Sequence, residues 1–371
     1  MEQVPAPRCR ARSIGVAGGG HHHSALDRAV RISPEVTKDG DPRADVALVV
    51  RSGSEAAFGQ LVEAHRRELR VHCYRMLGSF HEAEDLVQET FLRAWRRRET
   101  FQGRSTLRAW LYRIATNGCL ERLRRDRRPV PATGADGRVP PYSAMPWLQP
   151  FPDALLDAPA PTEDEPETVA VTRETIALAF LATIQLLPPR QRAVLLLRDV
   201  LAFTAAETAE VLEVTVAAAN SALQRARATL AAHRSTSAGA SGTTAAGDPR
   251  EQALLQRYID AHERQDPAAI VAVLREDARL TISPTGLCWD GRGEITQPFL
   301  DGMGALGDWR CLPTRANRLP AVGNYLRRWG EAEYVAFTLV VLAAEDGALT
   351  EMATFAEPAL FAAFGLPPTL P

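Results

Sequence analysis

From residue 54 to residue 128 the apolar positions keep a helical period. Phe58, Leu61, Val62, Leu69, His72, Cys73 and Leu77 share one face, and Gly78 closes that helix. A second helix is predicted over 82–98, with Leu86, Phe91, Leu92 and Trp95 apolar, and a third over 107–125, beyond Gly103. Residues 172–234 read as helical too: 172–187 up to Pro188-Pro189, then 190–201, 205–212 and 216–230. Thr204 and Glu207 form a capping-box signature, and Thr215 can cap the last helix. After residue 248 the period changes. Helices are predicted over 251–265 and 267–275, then strands over 278–283, 334–342 and 351–355, with Asp346-Gly347 as a hairpin turn. The expected fold class is multidomain: two all-α units, the second a helix-turn-helix, followed by an α+β unit.

The connections differ in composition. Residues 1–50 read as a disordered leader; its His21-His22-His23 could bind metal but fits a flexible polar tract. Residues 129–171 form a Pro-rich acidic linker, and 235–247 a flexible Ser/Thr/Ala/Gly linker. The domain units are therefore 51–128, 172–234 and 248–371, in keeping with 371 residues at ~150 per domain. Net charge is −2 for the chain but +6 over 54–128, +2 over 172–234 and −6 over 248–371, so the average conceals two basic segments. With 46% hydrophobic residues the chain can build real cores, and no apolar run approaches the ~18 residues of a membrane span. The N-terminal arginines precede no apolar stretch, and the five cysteines form no Cys-x-x-Cys pair. A reduced, cytoplasmic protein without structural zinc, cofactor or membrane partner is expected.

Two short helices joined by a three-residue turn are the pattern that lays its second helix in the DNA major groove. On that helix, Ala217, Ala218, Asn220, Ser221, Gln224, Arg225 and Arg227 fall outside the apolar side of Val216, Ala219, Leu223, Ala226 and Leu230. Asn and Gln pair with adenine, and Arg with guanine or phosphate. In the first basic segment the loop Phe101-Gln102-Gly103-Arg104-Ser105 leads into a helix carrying Arg108, Trp110, Arg113, Asn117 and Arg122. Trp110 lies on the apolar period and reads as core. Glu82, Asp85 and Glu89 share one helix face, which by itself could be no more than a solvated acidic stripe.

The run His81-Glu82-Ala83-Glu84-Asp85-Leu86-Val87-Gln88-Glu89-Thr90-Phe91-Leu92-Arg93-Ala94-Trp95 resembles the core-polymerase-binding stretch of bacterial extracytoplasmic-function sigma factors. Leu187-Pro188-Pro189-Arg190-Gln191-Arg192-Ala193-Val194-Leu195-Leu196-Leu197-Arg198-Asp199 and Ser221-Ala222-Leu223-Gln224-Arg225-Ala226-Arg227 resemble sigma region 4. The resemblance implies that Glu82, Asp85, Leu86, Gln88, Glu89 and Phe91 dock on the polymerase core, formed by its beta-prime and beta subunits. It implies that Arg104, Ser105, Arg108, Arg113 and Asn117 capture unstacked bases of the −10 element. Ala218, Asn220, Ser221, Gln224 and Arg225 would read the −35 element. Glu213 departs from the glycine common in that turn.

The linker stretch Tyr142 to Asp153, with Pro146-Trp147-Leu148, is similar to one in sigma factors that bear an extra C-terminal domain. Residues 248–371 resemble a SnoaL-like, polyketide-cyclase-like cone domain through Leu255, Tyr258, Ile259, Ala261, Asp266-Pro267-Ala268, Leu274 and Asp277-Ala278-Arg279-Leu280. Its apolar interior could hold a small ligand. An enzyme is the rival reading, with His262, Asp290 and Glu331 as candidates, but no acid/base pair is visible from spacing. A stand-alone helix-turn-helix repressor is the other rival. The expected function is a promoter-specificity subunit of bacterial RNA polymerase that works by binding, with the C-terminal domain modulating it in cis.

Overall fold

The computed structural model describes residues 47–51, 53–131, 140–156, 176–234 and 248–371. Most of the expected leader, the acidic run 157–167 and the linker 235–247 lie outside the described residues. Residues 47–51, at the end of the expected leader, are helical and bury Ala47 and Val50.

The first helical unit includes α1 (Glu55–Glu63), α2 (Arg66–Leu77), α3 (Phe80–Arg96) and α4 (Leu107–Arg125). One continuous helix was expected where α1 and α2 stand; the chain turns at Ala64-His65, so Phe58 and Val62 enter the same core as Leu69 and Cys73. Ser54, Ser79 and Thr106 accept N–H groups of the first turns of α1, α3 and α4. Gly78 ends α2 with φ 73°, a left-handed conformation natural to glycine. The second unit holds α5 (Leu178–Gln185), α6 (Pro189–Leu195), a π turn over Leu196–Val200, α7 (Ala205–Leu212) and α8 (Val216–Arg234).

The C-terminal unit begins with α9 (Pro249–Glu263) and α10 (Pro267–Ala272), followed by the strands β1 (Leu274–Ser283) and β2 (Leu287–Asp290). Then come α11 (Arg292–Leu306), β3 (Gly307–Ala316), β4 (Leu319–Arg328), β5 (Tyr334–Glu345), β6 (Ala348–Phe355), α12 (Leu360–Ala363) and β7 (Thr369–Leu370). The sheet order is β2-β1-β6-β5-β4-β3, with β7 on β5; β1 and β6 run parallel and the other pairs antiparallel. The expected Asp346-Gly347 turn closes β5 on β6, with Glu345 opposite Ala348 and φ of 51° and 79° at the turn. The expected helix over 267–275 stops at Ala272, where β1 takes over.

The two faces of the sheet have different fates. Leu280, Val322, Val340, Leu342 and Met352 pack with Leu254, Tyr258 and Ile259 of α9. Tyr325, Leu339, Val341, Ala353 and Phe355 belong instead to the core that includes the helical units and linker residues Met145, Leu148 and Phe151. The C-terminal unit is thus built onto the helical part through shared apolar burial.

Candidate functional site

α3 buries Phe80, Ala83, Leu86, Val87, Thr90 and Ala94. That leaves Asp85, Gln88, Glu89, Leu92 and Arg96 exposed along one helical stripe. Three of the six expected polymerase contacts, Asp85, Gln88 and Glu89, lie on it. Leu86 does not: it is 2% exposed and faces Gly118 of α4, so its place among the surface contacts is corrected to core. Glu82 turns aside to Arg128 and Arg122. Phe91 is half-buried beneath the Arg66 guanidinium, 4.9 Å from its ring centre. Leu92, 57% exposed, joins the stripe; on its apolar period alone it reads as core.

Thr106 starts α4 by accepting the Ala109 N–H at 3.1 Å. Arg104, Ser105, Trp110 and Arg113 then line one wall of a cleft of about 120 Å³. The opposite wall is α7, through Glu207, Glu210 and Val211. Arg113 donates to Glu213 at 2.7 Å, and Asn117 stands half-buried one turn further along α4. Arg108 leaves the expected set. It donates to Glu68 at 2.7 Å and lies over the rings of Tyr112 and Phe203, where it braces the two helical units. Trp110 is half-buried on Phe101 at 5.2 Å and yet reaches the cleft.

In the helix-turn-helix, Thr204 and Glu207 complete a capping box, and Thr215 caps α8 by accepting the Ala218 N–H at 3.1 Å. Glu213 takes the left-handed conformation at φ 55°, so the turn forms without the usual glycine, at some cost in backbone strain. Ala219, Leu223 and Ala226 are buried, and Ala217, Ala218, Asn220, Ser221, Gln224 and Arg225 are exposed. Val216, expected on the apolar side, is exposed instead. Arg227 forms a bidentate pair with Asp199 at 2.9 and 2.6 Å, within its own unit.

The linker motif is a junction. Gln149 accepts from the Ser79 hydroxyl at 2.7 Å and from the His81 N–H at 3.2 Å, both at the N-terminus of α3. Its amide donates to Glu357 of the C-terminal unit at 2.6 Å. The β3–β4 turn, Asn317-Arg318, plugs into the same junction. Asn317 is fully buried and donates to the Tyr74 hydroxyl at 3.0 Å and to the Ile176 carbonyl at 2.7 Å. Near the linker, burial pushes Glu351 up to about 7, against the pull of Arg279 and a hydrogen bond with Tyr142.

The enzyme candidates do not converge. His262 is 6% exposed, packed between Tyr258 and Trp309, and burial pushes it down to about 4. Asp290 is paired with Arg279 at 2.6 Å, and Glu331 is exposed after the β4 strand. Among the described residues no group of three or more metal-ligating side chains is present, and no helix is long and apolar enough to cross a membrane.

Comparison with known proteins places these parts. Residues 61–129 match the model of Sigma-70 region 2, and residues 177–230 that of Sigma-70, region 4. The chain is 40% identical over 338 residues to the ECF RNA polymerase sigma factor SigG of Mycobacterium tuberculosis, covering 87% of this chain and 89% of that protein. It is 30% identical over 181 residues to SigW of Bacillus subtilis, covering 49% of this chain and 90% of that protein. The crystal structure of the M. tuberculosis extracytoplasmic function sigma factor SigJ superposes with a TM-score of 0.51 at 21% identity, covering 83% of this chain and 99% of that one, and shares the fold. The α1–α4 unit is therefore region 2 and the α5–α8 unit region 4, and the chain belongs to the ECF RNA polymerase sigma factors.

Proposed function

We propose that this sigma factor directs RNA polymerase to its promoters with three separate surfaces. The α3 stripe of Asp85, Gln88, Glu89 and Leu92 holds core polymerase. Arg104, Ser105, Arg113 and Asn117 take the opened −10 strand. Asn220, Ser221, Gln224 and Arg225, over the small Ala218, read the −35 element in the major groove. The observation that carries this reading is the exposed α3 stripe, because a repressor acting without polymerase has no need of a leucine 57% exposed one turn beyond Gln88 and Glu89.

The C-terminal unit acts in cis and is not catalytic. Support comes from His262, which lacks a carboxylate partner and is held neutral in a packed aromatic cluster. Support for modulation comes from the shared linker junction, where Gln149 and Asn317 join that unit to α3 and α2. The chain works in the cytoplasm, where its partners, polymerase and promoter DNA, are found. The test is permanganate footprinting of promoter melting beside an equilibrium assay of core binding. Arg104→Ala should impair melting and leave core binding intact. Equal loss of both would contradict the assignment of the loop.

A further inference from the structure

The last helix of region 4 opens on an apolar end. Val216, Ala217 and Ala218, the first residues of α8, are all exposed, and Val216 keeps 44% of its surface open. The buried side of α8 begins at Ala219 and runs on through Leu223 and Ala226. A single exposed aliphatic residue is ordinary on a protein surface. A run of them at the helix end that enters a DNA groove is not, because it gains nothing from the fold. Valine is also a weaker helix former than alanine, and its branched side chain is stiff at χ1. The hydroxyl of this turn, on Thr215, is engaged: it accepts the Ala218 N–H at 3.1 Å. The first cation of α8 is Arg225, more than two turns further on.

We propose that Val216, backed by Ala217, reads the 5-methyl group of a thymine in the −35 element. This rests on the assignment of α8 to that element. The major groove shows hydrogen-bonding groups on every base pair and an apolar group only on thymine. A helix end whose side chains offer no free donor or acceptor selects through that methyl. Asn220 and Gln224 follow Val216 at four-residue steps, ~6 Å of helix each, so the apolar reader and the amide readers lie along one side. The preferred −35 element therefore holds an A·T pair opposite the start of α8, beside the pairs that Asn220 addresses.

The test uses holoenzyme assembled from the full chain and core polymerase. A randomised −35 duplex library gives the preferred element. Each thymine in it, on either strand, is then replaced by deoxyuridine, which lacks only the 5-methyl group. For wild type, one such replacement should weaken binding about fourfold, the ~0.8 kcal/mol of one methyl returned to water. Val216→Ala, a change at an exposed position, should bind the thymine element as weakly as wild type binds the deoxyuridine one. It should not respond to the same replacement. At a C·G pair placed there, 5-methylcytosine should bind wild type more tightly than cytosine does, and Val216→Ala should not distinguish them. A preferred element without thymine, or a deoxyuridine effect equal in wild type and Val216→Ala, would overturn the proposal. Gln224→Ala separates the two levels. If it shifts the −35 preference while every deoxyuridine replacement is without effect, the α8 assignment stands and methyl reading fails. If neither Gln224→Ala nor Val216→Ala alters the preference, the α8 assignment itself fails.

Discussion

Asn317 and Phe151 hold each other twice. The Phe151 N–H donates to the Asn317 side-chain oxygen at 2.8 Å, and the Asn317 N–H donates to the Phe151 carbonyl at 3.0 Å. One residue belongs to a hairpin turn of the C-terminal unit and the other to the linker between regions 2 and 4. The remaining donors of the Asn317 side chain reach Tyr74 in region 2 and Ile176 just before α5. One amide thus reports on the position of three parts of the chain.

Asn317→Gly keeps the left-handed backbone, at φ 54°, and removes only the side-chain bonds. It should cost about 1–3 kcal/mol for each buried group left without a partner. Chemical denaturation of the full chain measures this. Stability equal to wild type would show that the junction does not hold the units together.

Gln149 couples the C-terminal unit to the start of α3. Gln149→Ala leaves the Ser79 hydroxyl and the His81 N–H without their acceptor, and frees Glu357. Loss of a well-placed cap is worth about 1 kcal/mol. Exchange at the first turn of α3 should accelerate, and core polymerase affinity should fall by up to about fivefold. Glu357→Gln, which can still accept, should behave nearly as wild type.

The Glu351 site sets a pH dependence with a definite sign. Its carboxyl rises from the ordinary 4.5 to about 7, so the folded state holds more protons than the unfolded state in that window. Stability from this group is greatest below 4.5, falls as pH rises towards 7 and is flat above. His262, depressed from 6.5 to about 4, works the other way and weakens the fold on acidification. The comparison that isolates Glu351 is wild type against Glu351→Gln, by thermal unfolding between about pH 5 and pH 8. The gap between the two should change in favour of the variant as pH rises to 7; a constant gap would contradict the assignment.

Two arginines in the middle of α8 should separate. Arg225 is exposed, and Arg227 is occupied by Asp199. Arg225→Ala should alter −35 preference by ~1–3 kcal/mol for a lost base contact, whereas Arg227→Ala should leave preference unchanged. Binding to a randomised −35 duplex library by holoenzyme distinguishes them.

The helices of regions 2 and 4 are legible in the sequence because their apolar residues follow one period and ends are marked by Gly78, Thr204 and Thr215. β2, β3, β4 and α11 are not. β3 and β4 carry Pro313, Pro320 and several arginines, and β4 is buried on both faces, so alternation is lost. α11 contains Pro298 and three glycines, which weaken any helical signal. Among site residues, the exposed face of α8 follows from its spacing. Leu86, Leu92 and Arg108 depend on which neighbour each side chain meets across the core: Gly118 for one, solvent for another and Glu68 for the third. Glu351 and Asn317 gain their environment from segments far away in sequence, and nothing local marks them.

If the α3 stripe joins this chain to RNA polymerase, reversing its charge abolishes polymerase-dependent transcription. The direct measurement is transcription by purified core polymerase from a promoter library, with wild type and with Asp85→Arg combined with Gln88→Glu. Wild type should yield transcripts from a discrete promoter set. The double variant, whose changes lie on the exposed stripe, should stay folded by circular dichroism, fail to assemble with core and yield none of them. A wild-type chain that binds DNA specifically but gives no polymerase-dependent transcript, or a variant that transcribes as wild type does, would contradict the account.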